Sequence, residues 1–287
     1  MRVCLACGNR FESDRWRCPA CQFEPVREDF PLFAPDLATS NDGFEATAFE
    51  RLSRQESGSF WFRSRNRLVI QLLRHHFPKA KSLLEVGCGT GFVLSGVREA
   101  IPNLVLAGSD LYKDGLGFAS RRLPGVDLYQ MDCRHLPFDS AFDVICALDV
   151  LEHIKEDEVA LAEMFRSVRT GGGVIVSVPQ HPGLWSAADD YARHKRRYRR
   201  SELASKLRSA GFRVTRMTSF VSVLLPLMVA SRARQRDPLA YDPGGEYRMP
   251  RMVDRTLERI LDAEKWMIGH GISLPAGGSL FAVATKS

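Results

Sequence analysis

A glycine-rich turn between a predicted strand and a predicted helix restricts the fold more than any other segment. It comprises Leu84-Glu85-Val86-Gly87-Cys88-Gly89-Thr90-Gly91. Glycines at such a turn let a ligand approach the backbone closely. A dinucleotide site follows the pattern G-x-G-x-x-G, but counting from Gly87 puts Phe92 at the third glycine position. The turn therefore predicts a ligand site and argues against a nicotinamide dinucleotide as the ligand.

Short apolar strands alternate with helical segments from residue 81 onward. Predicted strands lie at 82–86, 104–109, 126–130, 142–148, 173–178, 213–220 and 279–285, and predicted helices at 91–100, 113–122, 156–169, 200–210 and 251–268. This alternation indicates an α/β fold with a largely parallel sheet. Ligands bind at the carboxyl ends of such strands, so the residues that follow successive strands should form one site.

Two acidic residues follow the second and third predicted strands. Asp110 comes about 20 residues after the glycine turn, where a carboxylate accepts hydrogen bonds from both ribose hydroxyls of a nucleoside. Asp132 is positioned to accept the adenine amino group, while the backbone amide of Cys133 reaches a ring nitrogen. The three strand ends together predict an adenosine-containing ligand.

These residues resemble the motifs of the class I S-adenosylmethionine-dependent methyltransferases. The resemblance covers residues 81–220 and the final strand, and it extends to the fourth-strand motif at 142–153 and the glycines at 171–173. It implies a Rossmann-like, seven-stranded, mostly parallel sheet with helices on both faces and an antiparallel last strand. The most similar subgroup is the small-molecule type that includes quinone-biosynthesis methyltransferases.

The same resemblance implies which residues bind S-adenosylmethionine. The methionine part of the cofactor is expected over the glycine turn, with its ammonium group near Glu85 and the carbonyl of Leu148. The cofactor-binding set then comprises Glu85, Gly87, Gly89, Gly91, Asp110, Asp132, Cys133 and Leu148.

Four of the seven cysteines form two Cys-x-x-Cys pairs near the N-terminus: Cys4, Cys7, Cys18 and Cys21. Each pair forms a tight knuckle, and two knuckles can close a tetrahedron of thiolates around one zinc ion. Gly8 relieves the first knuckle, whereas Gln22 stands at the equivalent place in the second. The pattern predicts a structural zinc ribbon in a reducing compartment, where disulfides do not persist.

The chain divides into six predicted segments. A zinc ribbon at 1–30 precedes a linker at 31–44 and a helical extension or lid at 45–80. The methyltransferase core occupies 81–220, a helical insert 221–275, and the final strand of the core sheet 276–287.

The net charge of +6 is concentrated in one segment. Residues 193–200 hold six Lys or Arg side chains and no acid, and the rest of the chain is neutral. No apolar run approaches the roughly 20 residues that span a bilayer, and no signal peptide is evident at the N-terminus, so we expect a cytoplasmic protein. A peripheral membrane contact stays open, because the apolar residues 220–230 are followed by Arg232, Arg234 and Arg236.

Candidate catalytic residues come from the segments after the fourth and fifth strands and from the insert. His194 and His181 have the chemistry of a general base near neutral pH. Glu264 lies on the apolar stripe of its helix, where it either points into the pocket or pairs with a nearby arginine. In-line transfer of a methyl group needs an oriented nucleophile and no metal ion.

The sequence favours a methyltransferase acting on a small or medium-sized metabolite. Two alternatives remain. An N-terminal zinc module before this core also resembles certain ribosomal RNA guanine methyltransferases, in which case segment 193–200 would grip phosphates. The other alternative is a non-catalytic protein that binds the cofactor. The acceptor, the atom methylated and the oligomeric state are left open.

Overall fold

The computed structural model describes residues 1–13, 15–37, 46–234 and 249–287. The N-terminal part contains the short strands β1 (Arg2–Val3), β2 (Arg10–Phe11), β3 (Val26–Arg27) and β4 (Pro31–Leu32). Two helices follow, α1 (Ala46–Gln55) and α2 (Phe60–His76). Together α1 and α2 occupy the segment predicted to be a helical extension.

The core alternates strands with helices as predicted, with boundaries that differ by a few residues. Its first half comprises β5 (Ser82–Val86), α3 (Phe92–Ala100), β6 (Val105–Asp110), α4 (Lys113–Arg122), β7 (Asp127–Gln130), β8 (Phe142–Leu148) and α5 (Asp157–Ser167). Its second half comprises β9 (Val168–Pro179), α6 (Ala187–Tyr191), α7 (Arg200–Ser209), β10 (Arg213–Phe220), α8 (Leu225–Arg234), α9 (Arg251–Gly269) and β11 (Ser279–Thr285).

One mixed sheet runs through the molecule in the order β10-β11-β9-β8-β5-β6-β7-β4-β3. Strands β5 to β9 pair in parallel, and β11 lies antiparallel between β9 and β10. Successive side chains of β5 point to opposite faces, so Leu83 joins one apolar core with α2, α3, α4 and α9, while Leu84 joins the other with α5 and α7. The predicted α/β fold with helices on both faces is confirmed.

In the described residues, the seven predicted strands of the core sheet are joined at the β7 edge by two more, the hairpin β3–β4. Leu32 pairs in parallel with Gln130, a fully buried residue. The side-chain amide of Gln130 donates to the carbonyl of Ala34 at 2.8 Å and accepts from its N–H at 3.0 Å. The Gln130 side chain therefore pairs with the Ala34 backbone in the way that a neighbouring strand would. Residues 31–34 of the predicted linker are consequently part of the sheet edge.

The apolar segment after β10 leads into helix α8. This helix begins at Leu225 and has Pro226 in its first turn. Proline is tolerated there because the first N–H groups of a helix have no intrahelical partner. Among the described residues, no helix combines the length and apolar character needed to cross a bilayer. Arg236 and the side chain of Arg234 lie outside the described part.

The cysteine-bearing module rests on the core through Trp16. Its indole is 7% exposed and meets Phe33, Tyr129 and Phe138 edge to face, at ring-centroid distances of 4.7, 5.7 and 5.6 Å. Edge-to-face pairs of this kind add to the free energy gained by burying the rings. The contact joins the module to the same sheet edge that β4 extends.

Replacing this indole should destabilise the whole chain. We expect Trp16→Ala to lower the free energy of unfolding by about 3–5 kcal/mol, because it leaves a cavity at a junction of three aromatic rings. Urea denaturation followed by circular dichroism measures the change. Trp266→Ala is the matched control, since that indole is 60% exposed and should cost no more than about 0.5 kcal/mol. Equal losses from the two variants would contradict the described docking.

Candidate functional site

The glycine turn adopts a backbone conformation that few side chains allow. Gly87 has a φ of 69°, and a Cβ atom placed on it would lie 2.4 Å from Cγ2 of Val150. Gly89 has a φ of 51° and is more open, with its nearest neighbour 3.8 Å from such a Cβ. Close approach to the backbone is therefore possible at Gly89, while Gly87 permits the tight turn itself.

Asp110 fixes the glycine turn from the end of β6. Its two carboxylate oxygens accept hydrogen bonds from the N–H groups of Gly89 and Tyr112, each at 2.9 Å. Burial raises the pKa of Asp110 to about 6, although these two amides act in the opposite direction. A carboxylate has about four acceptor sites, so this one retains capacity for further hydroxyl donors.

Glu85 lies beneath the turn, at the end of β5. It is 3% exposed, and its Oε2 has no hydrogen-bond partner among the described residues. Burial raises the pKa of Glu85 to about 8, and the nearby charge of Arg65 only partly offsets the rise. A buried carboxyl group with an unused oxygen is a site that a cationic group can occupy.

A cap formed by α1 and the short turn after it covers the glycine turn. Glu56 in that turn is 5% exposed and accepts hydrogen bonds from the hydroxyl of Thr90 at 2.5 and 2.7 Å and from Arg122 at 2.9 Å. The ring of Phe49 lies against Gly89 and Gly115. The sequence does not predict these contacts, because nothing in the local pattern distinguishes Glu56 from an exposed acidic residue at a helix end.

A further acidic residue, Asp149, follows β8. It has a φ of 57°, an uncommon conformation for a residue with a side chain, and such outliers concentrate at functional sites. Arg65 of α2 pairs with Asp149, and the hydroxyl of Ser177 donates to the same carboxylate at 3.0 Å. Arg65 also lies 4.5 Å above the ring of Trp61. Arg65 was not among the predicted site residues, although a charged residue beside the apolar residues of α2 is a signal that could have pointed to it.

The structure places Asp132 and Cys133 at the end of β7, next to one arginine. Arg134 donates through Nε and its terminal nitrogen to the Asp132 carboxylate, at 2.9 and 2.7 Å to Oδ2. Cys133 is 9% exposed. The adenine contacts expected of these two residues stay predictions, and Asp132 would share its oxygens with Arg134.

Much of the basic segment 193–200 is used inside the fold. Asp189, 1% exposed, accepts hydrogen bonds from Nδ1 of His194 at 2.9 Å and from Nε of Arg197 at 2.7 Å, and it pairs with Arg232 at 3.1 Å. Burial favours a higher pKa for Asp189, but His194 and the two arginines outweigh it and hold that pKa well below its usual range.

Two further arginines of this segment have partners within the core. Arg196 pairs with Asp157 at 2.8 Å, and Arg200 donates to the backbone carbonyls of Met217 and Leu274. These side chains are therefore not a free stripe of cations for phosphates, which weakens the RNA alternative. Arg232, one of the arginines considered for a membrane contact, pairs with Asp189.

The remaining two candidate catalytic residues lie apart. His181 follows β9 with a φ of 63°, and its Nε2 is buried without a partner among the described residues. Glu264 is completely buried and accepts hydrogen bonds from the N–H groups of Ser222, at 3.0 Å, and Val223, at 3.3 Å. Glu264 thus contacts backbone before α8, not the arginine considered as its partner. Catalytic roles for His181, His194 and Glu264 stay predictions.

The four N-terminal cysteines converge. Their Sγ atoms lie within 4.8 Å of one another, with Cys4 and Cys21 at 3.5 Å and Cys7 and Cys18 at 3.7 Å. Zn–S bonds of about 2.3 Å in a tetrahedron separate sulfurs by about 3.8 Å, so the arrangement fits zinc. Gln22 adopts a φ of 64°, close to the 73° of Gly8, so both knuckles share one geometry despite their different residues.

Comparison with known proteins identifies the family. A methyltransferase-domain family model matches residues 54–217. A fatty-acid O-methyltransferase of Mycolicibacterium smegmatis is 34% identical over 144 residues, which are 48% of this chain and 51% of the relative. A demethylmenaquinone methyltransferase of Renibacterium salmoninarum is 34% identical over 101 residues, 35% of this chain and 42% of the relative. The chain thus spans about half the length of these curated relatives.

Solved structures agree at the level of the fold. Phosphoethanolamine N-methyltransferase 2 of Haemonchus contortus, in complex with phosphomonomethylethanolamine and S-adenosylhomocysteine, superposes with a TM-score of 0.57. It is 16% identical, and the match covers 88% of this chain and 60% of that one. Three findings point to the same family: the family match over residues 54–217, the antiparallel last strand, and the acids at the strand ends. The chain belongs to the class I S-adenosylmethionine-dependent methyltransferase family.

Proposed function

We propose that this protein transfers a methyl group from S-adenosylmethionine to a small or medium-sized metabolite. The observation that supports this function best is the unused, buried Glu85 oxygen under the glycine turn, with Asp110 alongside. A cofactor carrying an ammonium group and a ribose diol satisfies both carboxylates at once. Asp110 would accept the ribose hydroxyls in addition to the N–H groups of Gly89 and Tyr112.

The residues present fit this cofactor. Glu85 would bind its ammonium group, Asp110 its ribose hydroxyls, and the open backbone at Gly89 its methionine part. Gly91, Asp132, Cys133 and the carbonyl of Leu148 complete the set proposed from the sequence. The cap residues Phe49 and Glu56 would exclude water from the bound cofactor, because both are buried against the glycine turn or its neighbours.

When bound, S-adenosylmethionine supplies a methyl group on a sulfonium, which a nucleophile displaces in line. The protein then has to orient the acceptor and hold its attacking atom about 3–3.5 Å from the methyl carbon. Asp149, Arg65 and the segment after β9 stand at the carboxyl edge of the sheet, where acceptors bind in open α/β folds. These groups would orient the acceptor through hydrogen bonds.

A small acceptor fits this edge better than RNA does. The arginines of segment 193–200 that contact Asp189 and Asp157 are unavailable for phosphates. The relatives that methylate a fatty acid and a demethylmenaquinone support a metabolite as substrate. We also propose a cytoplasmic location, since the cysteine site needs reduced thiols.

Transfer of labelled methyl groups tests the function directly. Protein and methyl-labelled S-adenosylmethionine are incubated either with a small-molecule extract or with total RNA. We expect label in the metabolite fraction and none in the RNA. Label in RNA alone would replace the metabolite proposal with the RNA alternative, and cofactor binding without any transfer would favour a non-catalytic protein.

Removing the Asp110 carboxylate should weaken cofactor binding. Asp110→Ala loses hydrogen bonds from the ribose hydroxyls to a charged group, so we expect the Kd for S-adenosylmethionine, measured by titration calorimetry, to rise about 10- to 100-fold. Asp114→Ala is the control, because that carboxylate is exposed in the first turn of α4. A similar loss of affinity in both variants would mean that Asp110 is not the ribose ligand.

Cofactor affinity should depend on pH through Glu85. Below its pKa of about 8, this carboxyl must release a proton before it can pair with the ammonium group, and release becomes easier as pH rises. Between pH 6.5 and 7.5 the Kd should therefore fall by up to about ten-fold. This pH window lies above the pKa of Asp110, about 6, and below the pKa of an ordinary α-amino group, about 7.7–8.0. The change in Kd within the window is therefore assigned to Glu85 and not to either of these groups.

Calorimetry in buffers of different ionisation enthalpy measures the proton released on binding. Glu85→Gln should bind more weakly and without this pH dependence. A wild-type Kd that is constant across the window would show that Glu85 is already ionised or does not contact the cofactor.

We further propose that Cys4, Cys7, Cys18 and Cys21 bind one structural zinc ion. Cys18→Ser should lose one equivalent of zinc by elemental analysis and melt at a lower temperature, because Trp16 and β4 tie the ribbon to the core. Zinc content unchanged in this variant would refute the assignment. Chelation followed by zinc addition checks that the loss of stability is reversible.

A further inference from the structure

A second carboxylate without partners lies after β8. Glu152 belongs to the short turn Leu151–His153 and is 1% exposed. Both of its carboxylate oxygens are buried and accept no hydrogen bond from the described residues. An ionised carboxylate in such a place needs a cation, because transfer of an unpaired charge from water into a protein interior is strongly unfavourable.

Two histidines stand beside this carboxylate. His153 is the next residue in the chain, and His194 comes from the segment after α6. One donor atom from each of Glu152, His153 and His194 lies within 4.8 Å of the others. The two imidazole rings meet edge to face, with centroids 4.8 Å apart. Two imidazoles and one carboxylate therefore converge on one small volume.

Each histidine also has a contact outside this group of three residues. Nδ1 of His194 contacts Oδ1 of Asp189 at 2.9 Å, and Asp189 is itself fixed by Arg197. His153 has a hydrogen bond with the backbone of Ala192. An imidazole that binds a metal typically uses its other nitrogen for a carboxylate or a backbone carbonyl, which fixes the ring and its tautomer. The contacts of His194 with Asp189 and of His153 with Ala192 are partners of this kind.

We propose that Glu152, His153 and His194 bind one divalent transition-metal ion, at a site separate from the cysteine ribbon. Imidazole ligands favour zinc, cobalt, iron or nickel over calcium and magnesium, which prefer sites built from oxygen. The donor atoms have to move closer together, since bonds of about 2.0–2.2 Å bring ligand atoms to about 3–3.5 Å of each other. Rotation of the Glu152 side chain, which no hydrogen bond restrains among the described residues, supplies this adjustment.

The site has a position from which it can affect the proposed reaction. It follows β8 directly, next to Asp149 and Arg65. Three protein ligands leave at least one coordination position for water or for an acceptor oxygen or nitrogen. This last role depends on the proposed function, whereas metal binding does not. In this assignment His194 is a metal ligand and not the general base considered from the sequence.

Binding of Co²⁺ tests the site in the full-length protein without cofactor. The ribbon is first saturated with zinc, and Co²⁺ is then added in a calorimetric and optical titration. We expect about one further equivalent to bind, with weak visible absorption and without the intense near-ultraviolet band of cobalt–thiolate bonds. That spectrum distinguishes the new site from exchange at the cysteines.

Glu152→Gln and His194→Gln should each weaken Co²⁺ binding at least about ten-fold. The matched controls are Glu156→Gln, whose carboxylate pairs with Arg134 at 47% exposure, and His135→Gln, whose ring is 71% exposed. Both controls should bind Co²⁺ like the wild type. If Glu152→Gln fails to fold, His194→Gln still tests the site.

Two results would overturn the proposal. One is the absence of Co²⁺ binding beyond the ribbon at millimolar metal, which would mean that Glu152 is buried in its protonated form. The other is binding of equal strength in the wild type, Glu152→Gln and His194→Gln. Neither result would affect the methyl-transfer proposal, which is decided by cofactor binding and label transfer.

Discussion

The hydrogen bond from the Gly89 amide to Asp110 connects the two strand ends on which the site depends. It joins the turn after β5 to the end of β6, and the N–H of Tyr112 holds the other oxygen of the same carboxylate. The N–H of Cys88 donates to the carbonyl of Ser109 at 2.8 Å, so backbone and side chain act together. The position of the glycine turn is thereby set by β6 as well as by its own strand.

The buried acidic residues at this edge of the sheet differ in whether they have partners. Glu85 and Glu152 have unused carboxylate oxygens, while Arg65 lies close enough to affect both electrostatically and is paired with Asp149. A fold selected only for stability would pair or remove such carboxylates. The proposals made above supply a cationic ligand for each carboxylate, an ammonium group for Glu85 and a metal ion for Glu152.

The strands and the acids at their ends were predictable because both depend on local sequence. Residues 82–86, 142–148, 213–220 and 279–285 match the observed strands in both bounds, since alternation or apolar runs between turn residues determine them. The position of Asp110 followed from counting residues after the glycine turn. Fold class therefore required no knowledge of tertiary contacts.

Contacts between distant segments could not be read from the sequence in the same way. Gln130 looks like an ordinary strand-end residue, but it holds Ala34 and so adds two strands to the sheet. Glu56 and Arg122 lie 66 residues apart and meet over Thr90. Such pairs depend on where the hairpin and the cap dock, and docking reflects shape and burial more than local pattern.

The basic segment illustrates why composition alone misleads about function. Its net charge in the sequence suggests a surface for phosphates or lipids. In the fold, Arg196 pairs with Asp157 and Arg197 with Asp189, whereas Arg193, Lys195 and Arg199 are exposed. The same Asp189 also contacts Nδ1 of His194, which lies beside Glu152 and His153. The charge counted along the sequence therefore overstates the charge available to a partner, because two of the six cations are paired with buried acids, and Asp189 connects the segment to the proposed metal site.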